Sequence, residues 1–219
     1  MNKFLHYFLL IFIFLPLYSC KSNKNIIKKY DDKTYINNFE LIQENSINET
    51  TIKIKSPKAI INPSSNNIRI YDSSINILQK NGQNFEVKSK NSIFNNKNNL
   101  LRVYDNVFIS LLEDENSFIK TNSLYWDLNS SNINLNSPLK INFANTKITS
   151  SNGFYNIDSG QLRINDNLFK RSIYNEKGEP IYQITIISDM AKWLKVNNSL
   201  EFSSENKQVE TTINILSLK

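Results

Sequence analysis

The chain has 219 residues, 40% of them hydrophobic and 21% charged, with a formal net charge of +6; this balance suits one folded domain with a substantial core and argues against global disorder. Glycine is scarce at 4 residues, too few for a fold built on glycine-rich phosphate loops. The single histidine, His6, and the single cysteine, Cys20, both fall in the first twenty residues, which leaves the rest of the chain without the parts of a Ser-His-Asp triad, a Cys-His pair or a zinc site.

In chain order, the first element is an export signal over residues 1–20. Lys3 precedes an apolar stretch from Phe4 to Leu15, shorter than a bilayer-spanning helix of about 20 residues. Leu17-Tyr18-Ser19-Cys20 closes it in a pattern similar to the lipobox of bacterial lipoproteins, which makes Cys20 the lipidated first residue of the mature protein; the alternative is an uncleaved signal anchor with an incidental cysteine. Either way the remainder faces the far side of a membrane, held there by the anchor, and contains no disulfide. Residues 21–34 are polar and basic without apolar period, and read as a tether.

Residues 35–219 form a single β-repeat domain, because one pattern recurs five times without a gap. The copies start at Ile54 (IKSPKAIINPSSNNIRI), Val87 (VKSKNSIFNNKNNLLRV), Ile119 (IKTNSLYWDLNSSNINL), Ile148 (ITSSNGFYNIDSGQLRI) and Ile186 (IISDMAKWLKVNNSLEF). Position one is a β-branched aliphatic. Position three is Ser56, Ser89, Thr121, Ser150 or Ser188, and position eight is Ile61, Phe94, Trp126, Tyr155 or Trp193. Positions fifteen and seventeen are aliphatic or Phe, as in Ile68/Ile70 and Leu101/Val103. Each copy holds two alternating runs around an Asn/Ser-rich turn, hence two antiparallel strands, and the chain as a whole predicts about ten to twelve.

The apolar parity changes between positions three and eight, which predicts a bulge or bend in every first strand. The second strands run on past the repeat, as Leu101, Val103, Val107, Ile109 and Leu111, with breaks at Asp105 and at Ser137-Pro138 where a long strand passes from one wall of a folded sheet to the other. Glu113-Asp114-Glu115, the densest acidic group, sits between two predicted strands and reads as a hairpin turn rather than a metal or glycosidase site. The aromatics fall at structural repeat positions with no basic residues interleaved, so nucleic-acid binding is unsupported. The last strand alternates Val209, Thr211, Ile213 and Ile215 against Glu210, Thr212 and Asn214, with only Glu210 to blunt its edge. Such an edge accepts a strand from another sheet unless it is paired on both sides within its own domain.

An export signal, a short tether and repeated units of strand, small residue, aromatic, polar turn and aliphatic-x-aliphatic together resemble the LptC family of lipopolysaccharide export. "YINNFELIQENSINETTIKIKSPKAII" is similar to the family's opening, and "SFIKTNSLYWDL" with "PLKINFANTKITSSNGFYNID" to its later core, including Gly153 before the aromatic. The segment from Ile173 to Leu216 looks like an extra unit of the same kind. The resemblance implies an all-β fold, an open β-jellyroll or curved β-solenoid, on the periplasmic side of the inner membrane. It implies no catalysis, cofactor or metal.

Lipopolysaccharide acyl chains would lie in an apolar groove lined by Ile54, Ile70, Val103, Ile109, Leu135, Ile141 and Ile164. The partners it implies are the inner-membrane export permease complex and an OstA-like periplasmic bridge protein, the latter added at the Val209, Thr211, Ile213 and Ile215 edge. The competing reading is a non-transporting structural or adhesive β-repeat lipoprotein with the same fold.

Overall fold

The computed structural model describes residues 33–45, 49–79, 84–111, 114–143, 145–194, 199–205 and 207–216. The expected signal, Cys20 and nearly all of the tether lie outside the described residues, as does Glu113. Residues Asp32–Lys219 cluster as one compact unit, and every strand and core residue described below falls inside it, so the unit carries its own core.

The fold is all-β, as the repeat predicts. Fourteen strands run in chain order: β1 (Thr34–Asn45), β2 (Thr50–Asn62), β3 (Asn67–Gln79), β4 (Asn84–Asn95), β5 (Leu100–Leu111), β6 (Asp114–Asp127), β7 (Asn132–Leu135), β8 (Leu139–Phe143), β9 (Thr146–Ser150), β10 (Asn152–Asn156), β11 (Gln161–Tyr174), β12 (Pro180–Leu194), β13 (Ser199–Ser203) and β14 (Glu210–Ile215). They pair antiparallel, neighbour to neighbour, in one continuous sheet. The strands make eleven rungs, because β7 with β8, β9 with β10 and β13 with β14 each fill one, lying end to end against shared neighbours. Fourteen strands exceed the ten to twelve expected, because three rungs are each divided into two strands.

Those midpoints are corners, and the sequence chemistry explains them. Asn38, Asp72, Asp105, Asn106 and Asp166 hold left-handed backbone with φ between 48° and 65° in the middle of long strands, a conformation that Asn and Asp tolerate better than other side chains. The β4–β5 register slips between Lys88 and Asn91, and the β5–β6 register between Tyr104 and Val107. Ser137 and Pro138 interrupt the rung shared by β7 and β8, where proline lacks a donor for the ladder.

The position-three hydroxyl has its reason at the corner. Ser56, Ser89, Ser150 and Ser188 each donate to the carbonyl two residues on, at 2.7, 3.1, 2.8 and 3.0 Å. Bending the strand takes that carbonyl out of the ladder, and a buried carbonyl left unpaired is costly. In the middle copy Thr121 instead bonds the Ser137 hydroxyl at 2.7 Å.

Each corner divides its rung between two walls. On the first wall the position-one residues form part of a cross-strand row: Ile54, Ile75, Val87, Ile109, Ile119, Ile141, Ile148, Phe169 and Ile186. On the second wall positions eight and fifteen alternate in another: Ile61, Ile68, Phe94, Leu101, Trp126, Ile133, Tyr155, Leu162, Trp193 and Leu200. The repeat is thus a register device that puts like with like on neighbouring rungs, where side chains directly opposite pack together. Trp126 is fully buried in the second row, and its indole N–H donates to the Ser130 carbonyl at 3.1 Å.

One further repeat position emerges from the register. Position six is Ala59, Ser92, Leu124, Gly153 or Ala191, opposite large residues of position seventeen such as Ile70, Val103, Ile164 and Phe202. At Gly153 the constraint is tightest: a Cβ there would lie 2.5 Å from the Arg163 carbonyl oxygen and 2.8 Å from Ile164 Cγ2.

Candidate functional site

The two walls face each other, as three ring contacts across the interior establish. Phe85 of the first wall meets Tyr155 of the second edge-to-face at 5.3 Å, Phe143 meets Trp193 at 5.8 Å, and Phe169 meets Phe202 at 5.2 Å. Toward the N-terminal rungs the walls close completely: Ile52, Ile54, Ile70, Ile75, Val87, Phe94, Leu101 and Val103 are all fully buried. Buried positions persist on later rungs, as at Trp126, Leu135 and Leu139, but the walls part beside Ile109 and the rungs that follow it. Ile109, Ile119, Ile141, Ile184, Ile186, Trp193, Leu200 and Phe202 pack on the core yet stay only partly buried.

The space between them is a cavity of about 540 Å³, within the range of small-molecule sites. Ile109, Ile119, Ile141, Ile148 and Phe169 line it from the first wall, and Leu162, Ile164, Trp193, Leu200 and Phe202 from the second. Phe85 stands at its closed end, against Tyr155. Burial pushes the Tyr155 phenol up to about 12, with the Gln79 amide acting in the opposite direction, so the ring stays neutral and the closed end uncharged. The polar lining residues are Ser110, Ser117, Asn142, Asn145, Thr146 and Arg171. The arrangement, apolar over most of its lining, suits apolar chains.

The seven residues expected along a groove divide between two environments. Ile109, Ile141 and Ile164 line the cavity. Ile54, Ile70, Val103 and Leu135 sit in the closed core, each at most 1% exposed. Sequence reasoning did not single out Phe85, Phe143, Phe169, Ile184 or Arg171 as lining residues. Trp193 and Leu200 were marked as repeat positions eight and fifteen, and Ile119, Ile148 and Ile186 as position one, so a signal for them was present.

At the C-terminal end, Thr211, Ile213 and Ile215 lie in β14, which among the described residues pairs with β12 alone (Ile184↔Ile213, Tyr182↔Ile215). The six β14 residues are all exposed, Ile213 at 62% and Ile215 at 78%. Val209 precedes the strand. At the other end β1 pairs, among the described residues, with β2 alone.

Comparison with known proteins gives one finding. The family model described as "Lipopolysaccharide-assembly, LptC-related" matches residues 5–168, well over half of the chain. No curated protein matches it. The family match ends within β11, so β12 and β13, which supply Ile184, Ile186, Trp193, Leu200 and Phe202 to the cavity, lie beyond it.

Proposed function

From the premise that this chain belongs to the LptC family and so acts in lipopolysaccharide transport, we propose that it carries lipopolysaccharide acyl chains between its two walls and passes them to an OstA-like periplasmic bridge protein. The observation that supports this reading is the apolar cavity, at which an otherwise closed core opens toward the C-terminal rungs. Burying an alkyl chain contributes about 0.8 kcal/mol per methylene, so ten methylenes gain on the order of 8 kcal/mol, enough to compensate much of what the chain loses on leaving a bilayer. No group needs to react.

In the same reading the domain stands on the periplasmic side of the inner membrane, beside the export permease complex that loads it. Cys20, in its lipobox-like "LYSC", carries the lipid anchor, with residues 21–34 as the tether. Cys20→Ala then leaves an unprocessed precursor that takes up no palmitate label, and labelling that persists in the variant contradicts the anchor.

Photo-crosslinking side chains at Ile109 and Ile141 test the carrier function in cells. Capture of lipopolysaccharide at both, with none at the closed-core position Ile54, is the expected result. No capture at either cavity position favours a structural or adhesive lipoprotein of the same fold.

A further inference from the structure

The polar part of the cavity lining is not scattered. On the first wall, the inward-facing residues one step farther from the corners than the Ile141–Ile148–Phe169–Ile186 row are Phe143, Thr146, Arg171 and Ile184, each opposite the next across the sheet. Ser117 holds the corresponding place on β6, two residues before Ile119. Asn145 borders the same rim and accepts the Ser172 backbone N–H at 3.2 Å through its carbonyl. The cavity is therefore apolar beside the corners, while its outer row sets Ser117, Thr146 and Arg171 among Phe143 and Ile184.

Arg171 is the one charged side chain among the described lining residues. Some other cations of the domain have partners: Lys53 pairs with Glu40 and Lys88 with Glu86 at 2.9 Å each, while Arg102 and Arg163 lie over Tyr125 and Phe154. Arg171 has no such partner among the described residues, and it is exposed. Its planar fork of donors matches a phosphate in bidentate fashion, and the Thr146 hydroxyl is directly opposite in the sheet, at the spacing of a cross-strand pair.

We propose that Arg171, with Thr146 and Asn145, forms an anion subsite at the cavity lip that takes the phosphate head group of an alkyl amphiphile whose chain lies between the walls. The subsite rests on the carrier reading above and adds to it the determinant that orients the ligand, head group outward. It makes the cavity select anionic over neutral amphiphiles.

Calorimetric titration of residues 32–219 with decyl phosphate and with decanol separates the two. The native protein binds both, the phosphate about tenfold more tightly, the effect of a charge-assisted hydrogen bond at a partly solvated site. Arg171→Gln brings the phosphate down to the affinity of the alcohol and leaves the alcohol unchanged. Lys170→Gln, one residue away on the outward face, keeps the preference. Decanol binding with no phosphate preference, or a preference that survives in Arg171→Gln, overturns the subsite and leaves the carrier reading standing. Equal weakening of both ligands in Arg171→Gln assigns the arginine to cavity shape and also overturns the subsite. Binding of neither ligand to the native protein overturns both readings.

Discussion

Trp126 shows how one side chain serves two rungs. It is fully buried between Leu101 and Ile133 in the second-wall row, with its only polar atom satisfied by the Ser130 carbonyl. Trp126→Ala removes the largest buried side chain of the domain and is expected to cost about 3–5 kcal/mol, read as a lowered urea midpoint with an unchanged slope. An unchanged midpoint would mean that the second-wall row does not hold the rungs together. The hydroxyls of position three and the large residues of position eight were legible in the sequence because five copies repeat them. The small residues of position six were not, since Ala, Ser, Leu, Gly and Ala share no obvious chemistry. Their common property is what they face: Gly153 is a glycine because the Arg163 backbone leaves no room for a Cβ.

At the scale of the element, alternation and its change of parity identified long strands with a bend in each, and the bends stand at the corners between walls. What alternation does not resolve is how a bend is executed. Asp72 and Asp166 turn by a left-handed residue inside one strand, and the apolar parity changes there (Ile70 to Ile75, Ile164 to Phe169), whereas Ser137-Pro138 separates two strands and keeps the parity (Leu135 to Leu139). The last strand raises a question of function. β14 has β12 on one side and no partner on the other among the described residues, so alternate amides along it point away from the domain. Proline at Thr212 and proline at Ile213 therefore act differently. One removes a bond to β12, and the other removes only an outward donor. We expect the second of these variants to fold normally and to lose capture of the OstA-like bridge protein in a pull-down. Capture retained by both folded variants would show that bridge binding does not use this edge.

Across the whole molecule, the row that begins as sealed core at Ile54 and Val87 lines open space by Ile141, with no change in residue type. All seven expected residues are aliphatics in alternating runs, so sequence had no means of separating Ile54, Ile70, Val103 and Leu135 from Ile109 and Ile141, or of showing that Ile164 borders the cavity while only 2% exposed. The difference arises from the distance between the walls, which depends on all eleven rungs together. In the carrier reading that widening is the functional feature, and filling it should act on transport without harming the fold. Ile141→Trp places a large ring in space bordered by Ile119, Ile148 and Trp193. Transfer of lipopolysaccharide from inner-membrane vesicles to the purified bridge protein, measured alongside the thermal midpoint, is the most direct test. The account predicts that transfer by Ile141→Trp falls at least tenfold while the midpoint holds or rises; full transfer by a folded Ile141→Trp protein would contradict it.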